Sequence, residues 1–280
     1  MPSTFNAHDA MAYERLMGRW SRRLAPLFTE HAGIASGDRL LEVGCGPGSL
    51  TFALAESAPF AELTAVDYAD VYVEAARAMN RDARVHFEQG DATALRFAAA
   101  QFDRTLSLLL LHLVPGPERA VAEMCRVTRP GGVVAAAVWD AEGGVVTQRI
   151  FWDTAAALDP AAWVQRARSM GNPVVAPGGL QRLSAAAGLD EVQERSLTIR
   201  MEPANFADYW EPYASGEGPI GAYIAGLSPS VNGHPKFPRE GHRKLPTPRV
   251  HSVASAGRTR PALSLSLSRY ELPRMFRVMA

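Results

Sequence analysis

Leu40-Leu41-Glu42-Val43-Gly44-Cys45-Gly46-Pro47-Gly48 decides the fold. An apolar run that ends in a carboxylate and three alternating glycines reads as strand, tight turn and helix start. Glycine at Gly44, Gly46 and Gly48 removes β-carbons from the turn, so the backbone can take positive φ and approach a ligand closely. The spacing narrows the ligand. A dinucleotide fingerprint needs Gly-x-Gly-x-x-Gly before a helix N-terminus that holds a pyrophosphate, and here Ser49 stands where the third glycine belongs. Glu42 instead offers a carboxylate that accepts from an ammonium or a ribose. The turn therefore speaks for a nucleotide-like ligand and against a nicotinamide dehydrogenase.

Outward from this turn the chain alternates regularly. Strands are predicted over 39–43, 62–66, 84–88 and 102–108, with helices over 49–57 and 71–80. Short strands interleaved with helices imply right-handed crossovers and a parallel sheet, whose ligand lies beyond the carboxyl ends of the strands. Polar residues fall at those ends. Asp67 closes the second strand, about 20 residues past the glycine turn, where an acidic residue can hold ribose hydroxyls. Gly90-Asp91-Ala92 follows the third strand, pairing an acceptor for an amino group with a small neighbour that lets a ring lie flat. The fourth strand, Phe102-Asp103-Arg104-Thr105-Leu106-Ser107-Leu108, runs past the same place. An amphipathic helix over 117–127 turns Val121, Met124 and Val127 inward, Thr128-Arg129-Pro130-Gly131-Gly132 breaks it, and an apolar strand follows over 133–139.

Residues 9–32 place Tyr13, Leu16, Met17, Trp20, Leu24, Leu27 and Phe28 on one helical face, and Pro26 is expected to bend or restart the helix. Taken in order, Glu42-x-Gly44-x-Gly46-x-Gly48, Asp67, Gly90-Asp91-Ala92, Phe102-Asp103 and Arg129-Pro130-Gly131-Gly132 resemble class I S-adenosylmethionine-dependent methyltransferases of the methyltransferase-11 type. The likeness runs over 13–140, since Tyr13-Glu14-Arg15-Leu16-Met17-Gly18-Arg19-Trp20-Ser21 resembles the opening helix of a bacterial subfamily. It implies a Rossmann-like, doubly wound, mainly parallel sheet of seven strands with helices on both faces. It also implies S-adenosyl-L-methionine as cofactor, held by Tyr13, Arg19, Trp20, Glu42, Gly44, Gly46, Gly48, Asp67, Tyr68, Asp91, Ala92 and Leu108. His112, just past the fourth strand, is the candidate base if the acceptor must lose a proton; the subfamily usually has asparagine there, so position alone supports this. The implied reaction moves a methyl group to a small-molecule acceptor, with nucleic acid and metal not expected.

The remaining chain divides by composition. Residues 1–36 form covering helices, 37–140 the cofactor core, and 141–228 a lid with the rest of the sheet. Within the lid a helix is predicted near 179–187 and a strand over 189–201, and Phe151, Trp152, Trp163, Phe206, Tyr209, Trp210, Tyr213 and Tyr223 serve either the acceptor or ordinary packing. Residues 229–280 carry ten Lys/Arg against Glu240 and Glu271, with seven prolines up to Pro273. This tail, 229–280, is expected to be disordered, with 229–261 unpacked, as a shifted reading frame or a basic arm for a partner such as RNA. A cofactor-binding protein inactivated by that altered C-terminus and an RNA-directed enzyme are the alternative readings. A tail segment over 262–270, alternating leucine with serine, is expected either to pair between the strands 133–139 and 189–201 or to leave that gap open. The start has no basic-then-apolar leader, and the apolar run over 106–114 is too short to span a bilayer, so a cytoplasmic protein is expected. Cys45 and Cys125 form no metal or disulfide pattern.

Overall fold

The computed structural model describes residues 5, 7–141, 143–227 and 276–279, the last four through their backbone. A first helical segment begins at α1 (Ala10–Tyr13), where Asp9 Oδ1 accepts from Met11 N at 2.8 Å. It passes through a π-helical turn (Glu14–Gly18) into α2 (Arg19–Ala32). The expected break at Pro26 does not occur, and α2 runs through it. Pro26 and Arg22, whose carbonyl the missing N–H would have served, both face solvent, where water can take that bond. Irregularity falls in the π turn instead.

The core follows as β1 (Arg39–Val43), α3 (Ser49–Ser57), β2 (Glu62–Asp67), α4 (Asp70–Met79), β3 (Val85–Gln89), β4 (Phe102–Leu108), α5 (Pro117–Val127) and β5 (Thr128–Trp139). These strands lie in the order β3-β2-β1-β4-β5, and each neighbouring pair is parallel. Strand order reverses between β1 and β4, the crevice where open α/β sheets take their ligands. Both faces of the strands are apolar because both are covered. Leu40, Ala135, Ala137 and Trp139 pack with Leu24, Phe28 and Leu54 of α2 and α3. Leu41, Val43, Val134, Ala136 and Val138 pack with Val121 and Met124 of α5.

β5 starts at Thr128, five residues before the predicted strand. The loop expected there is an irregular strand end. Register shifts between Phe102 and Arg104, where a β-carbon on Gly132 would come within 2.5 Å of Asp103 O.

Beyond the core come α6 (Val146–Leu158), α7 (Pro160–Met170), α8 (Gly179–Ala186), β6 (Glu194–Leu197), α9 (Phe206–Ala214) and α10 (Gly218–Ala225). The strand predicted over 189–201 shrinks to the four residues of β6, since Glu191 at φ 55 interrupts the extended run before it. The backbone of β7 (Phe276–Met279) pairs antiparallel with β5 on one side and β6 on the other. This corrects the expectation of a gap beside β5 left open or filled by 262–270, and that of a tail disordered to its end, since 276–279 is the strand that pairs there. Three of the four residues in β7 are apolar, whereas 262–268 alternates with serine, and a strand in the middle of a covered sheet suits the former. The stretches 229–261 and 262–270 lie outside the described residues. No described helix is long and apolar enough to cross a membrane.

One ion pair ties α2 to the sheet. Arg104 Nε donates to Asp38 Oδ2 at 2.5 Å and Arg104 Nη1 to Ala32 O at 2.9 Å, so a single guanidinium caps the end of α2 and neutralises a buried acid. Replacing Arg104 by alanine leaves that carboxylate uncompensated and is expected to cost about 3–5 kcal/mol, read from urea unfolding.

Candidate cofactor site

A cavity of about 300 Å³ opens at the carboxyl ends of β1, β2, β3 and β4. Such a volume is at the small end of the usual range for ligand pockets. Its floor is the glycine turn. Gly44, Gly46 and Gly48 have φ of 82°, 54° and 96°, all left-handed. A β-carbon on Gly44 would lie 2.7 Å from the Leu110 side chain and one on Gly48 2.5 Å from the Phe52 ring. Gly44 and Gly46 line the cavity; Gly48 instead starts α3. Cys45 sits buried between them, its thiol pushed up by burial.

Asp67 fastens the turn to the end of β2. Its Oδ2 accepts from Gly46 N at 2.8 Å and its Oδ1 from Ala69 N at 2.8 Å, while burial raises its carboxyl above the usual range. Each oxygen keeps a lone pair for a ligand hydroxyl. Asp91 is held by Thr93, which donates from N at 2.8 Å and from Oγ1 at 2.7 Å and pulls the carboxyl down. Tyr13, Tyr68, Ala92 and Leu108 complete the predicted residues found in the wall.

Besides Gly48, four predicted residues stand elsewhere. Arg19 donates from Nη1 to Asp208 Oδ1 at 2.6 Å and from Nη2 to Asp208 O at 3.0 Å, joining the opening helix to α9. Trp20 is buried in the core, with the guanidinium of Arg19 4.4 Å from its ring centroid. Glu42 lies beneath the turn, where its Oε2 accepts from Thr51 Oγ1 at 2.5 Å. His112 stands half-buried off the wall; burial of the ring lowers its imidazole to about 4, and Nδ1 has no hydrogen-bond partner among the described residues. A neutral ring so weakly basic is a poor proton acceptor at neutral pH.

Other wall residues escaped the sequence reading. Phe5, Ala7 and Tyr72 close one side, with Tyr13 5.9 Å from Phe5 and 5.1 Å from Tyr72 between ring centroids. Leu109, Leu110, Leu113, Val114 and Pro115 form an apolar side. Leu109 takes φ 63, a left-handed turn unusual for a branched residue, and its N donates to Ala137 O at 2.8 Å. In sequence this stretch is one apolar run without helical or strand period. The lid aromatics do not reach the wall. Phe151, Trp152, Trp210 and Tyr223 pack on one another at 5.1–6.4 Å between centroids, which is the ordinary-packing alternative.

The cavity thus brings acidic groups and apolar side chains into one wall. That charge suits a cationic ligand with hydroxyls and opposes a pyrophosphate. Residues 41–136 match the family model described as a methyltransferase domain. Over those residues the core is similar to a class I methyltransferase domain. S-adenosylmethionine is the cofactor of this domain type, and the acids and glycine cradle present here fit its ammonium, sulfonium and ribose. Relatives of the methyltransferase domain include a ubiquinone/menaquinone biosynthesis C-methyltransferase of Bdellovibrio bacteriovorus, 32% identical over 117 residues that make up 41% of this chain and 48% of that protein. An erythromycin 3''-O-methyltransferase of Saccharopolyspora erythraea is 37% identical over 120 residues, 41% of this chain and 39% of the relative. The matches thus span less than half the length of these curated relatives. Among solved structures, phosphoethanolamine N-methyltransferase 2 of Haemonchus contortus, in complex with S-adenosyl-L-methionine, superposes with a TM-score of 0.52 at 15% identity, covering 80% of this chain and 50% of that one. This likeness shows the fold.

Burial pushes the Glu42 carboxyl up to about 8, Asp67 adds to the rise, and the Thr51 hydroxyl opposes it. The folded methyltransferase domain therefore keeps a proton that the unfolded chain gives up near pH 4.3, so the contribution of Glu42 to stability falls as pH rises from about 4.5 through 8. Glu42→Gln does not titrate and escapes the fall. Urea unfolding of the ligand-free protein at pH 5 and pH 8 is expected to shift in favour of Glu42→Gln by roughly 3 kcal/mol over that interval; no relative shift would mean that Glu42 is already ionised.

Proposed function

We propose that the protein is an S-adenosylmethionine-dependent methyltransferase that acts on a small, largely apolar acceptor. One observation carries the reading: Asp67, Asp91 and the glycine turn line the same cavity of about 300 Å³ as the apolar residues Leu109, Leu110, Leu113, Val114 and Pro115. Asp67 would take the ribose hydroxyls, Asp91 with Ala92 the adenine, Glu42 the amino-acid end through the turn, and Leu108 the neighbourhood of the sulfur. When bound, the cofactor supplies an electrophilic methyl carbon on a sulfonium. What the chain contributes is alignment and exclusion of water, and orientation alone can lower such a barrier by about 7–11 kcal/mol in favourable cases.

No proton-accepting role is given to His112. The acceptor then has to present an atom that is nucleophilic as bound, such as an amine, a thiolate, an acidic phenol or an enolised carbon. Relatives that methylate carbon and oxygen are both consistent with that chemistry. Pairing of β7 between β5 and β6 supports a closed seven-stranded sheet, and with it an active enzyme over an inactive relative.

Calorimetry with S-adenosylhomocysteine and with NAD distinguishes this reading from a dehydrogenase; binding of the first alone is expected. Incubation of cell extract with methyl-labelled cofactor then identifies the acceptor, and absence of transfer to any compound would overturn the enzymatic reading. Asp67→Asn is expected to weaken S-adenosylhomocysteine binding roughly ten- to a hundredfold, the loss of a charge-assisted bond worth about 1.5–3 kcal/mol. An asparagine amide also turns a donor toward the Gly46 or Ala69 N–H, so a small loss of stability should accompany it. Unchanged affinity would remove Asp67 from the site.

A further inference from the structure

Glu217 is fully buried, yet it belongs to no part of the cavity wall. Its Oε1 accepts from His8 N at 2.9 Å and from Asp9 N at 2.7 Å, and its Oε2 accepts from Tyr72 Oη at 3.0 Å. It stands at the head of α10 without bonding that helix's amides, while Asp9 caps α1, so both carboxyl oxygens are spent on the segment that leads into α1 and on Tyr72. The next residue, Gly218, has φ 68, and a β-carbon there would come within 3.0 Å of the Phe5 ring. The lid helix therefore makes room for Phe5 and grips the segment behind it.

What it grips is the cover of the cavity. Phe5, Ala7 and Tyr13 of this N-terminal strap line the wall, and Tyr72 meets Tyr13 across it. On the cofactor reading above, we propose that Glu217 is a positioning residue, a latch that holds the strap and Tyr72 closed over the cofactor and sets the rate at which the cofactor leaves. The latch is two-state for a physical reason. Lifting the strap removes two charge-assisted bonds at once and leaves a carboxylate that must be rehydrated, so half-open arrangements are disfavoured. Glutamine keeps one acceptor for the two amides and can donate its amide to Tyr72 Oη. Alanine keeps neither.

The test combines two readouts on the full chain. Amide hydrogen exchange of the ligand-free protein should lose protection at His8 and Asp9 in Glu217→Ala while α4 and the parallel sheet stay protected. Stopped-flow dissociation of S-adenosylhomocysteine should accelerate at least tenfold in Glu217→Ala and stay within about threefold of the wild type in Glu217→Gln, the rescue being what separates a latch from general loosening. His8→Pro removes one strap donor at an exposed position and should speed dissociation several-fold, which serves if the alanine variant fails to fold. Wild-type dissociation in a folded Glu217→Ala, or in His8→Pro when the alanine variant is unfolded, would overturn the latch. If the wild type does not bind S-adenosylhomocysteine, the cofactor reading fails, and the exchange at His8 and Asp9 alone decides whether Glu217 holds the strap.

Discussion

Asp67 accepting from Gly46 N on one oxygen and Ala69 N on the other is the constraint on which the cavity depends. Those two bonds lock the glycine turn after β1 to the end of β2. They are reinforced by Val66 O, which accepts from Gly44 N at 2.8 Å and Cys45 N at 3.0 Å. A turn with three left-handed glycines is entropically the loosest part of the chain when unfolded. Pinned by a buried carboxylate and a strand carbonyl, it becomes a rigid floor. One residue thus both builds the site and remains available to a ligand, because an oxygen with one lone pair engaged by an amide still has another.

The electrostatic consequence follows from the same burial. Glu42 lies beneath the turn in a poorly hydrated place, and the Asp67 carboxylate above it adds to the cost of ionising it. A cation arriving in the cavity lowers that cost, whereas a diphosphate would raise it. The glycine spacing and the electrostatics of the folded site therefore exclude the same class of ligand by independent routes, one steric and one Coulombic.

Most of the core was legible because local pattern and tertiary environment agree there. β1, β4 and α5 have the boundaries their sequences predict, since each is an uninterrupted apolar or amphipathic run between glycine, proline or acidic stops. Asp67, Asp91 and Ala92 could be placed because strand ends in a parallel sheet share one rim. Trp20 and Arg19 could not, because a helix pattern fixes which face is apolar but not which partner it meets; here the partners are the core and Asp208. The strand over 189–201 was overread for a related reason: apolar alternation without a neighbouring strand cannot say how many residues will pair. Glu217 was invisible altogether, since its three donors lie more than a hundred residues away along the chain.

The described part of the insert after β5 acts on the cavity without lining it. Asp208 on α9 holds Arg19, Arg200 O accepts from Arg23 Nη1 at 2.9 Å, and Glu217 holds His8 and Asp9, so three successive points of the insert grip the opening helix along its length. That helix in turn delivers Tyr13, and the strap before it Phe5 and Ala7, to the wall. The aromatic cluster of Phe151, Trp152, Trp210 and Tyr223 stiffens the insert as a body. A rigid collar of this kind can change the shape of the cavity by shifting the helix it holds, without a single substitution among the wall residues. The shape of the cavity is therefore set by the N-terminal strap and the insert together, and the parallel core supplies the acidic groups to which they are fitted.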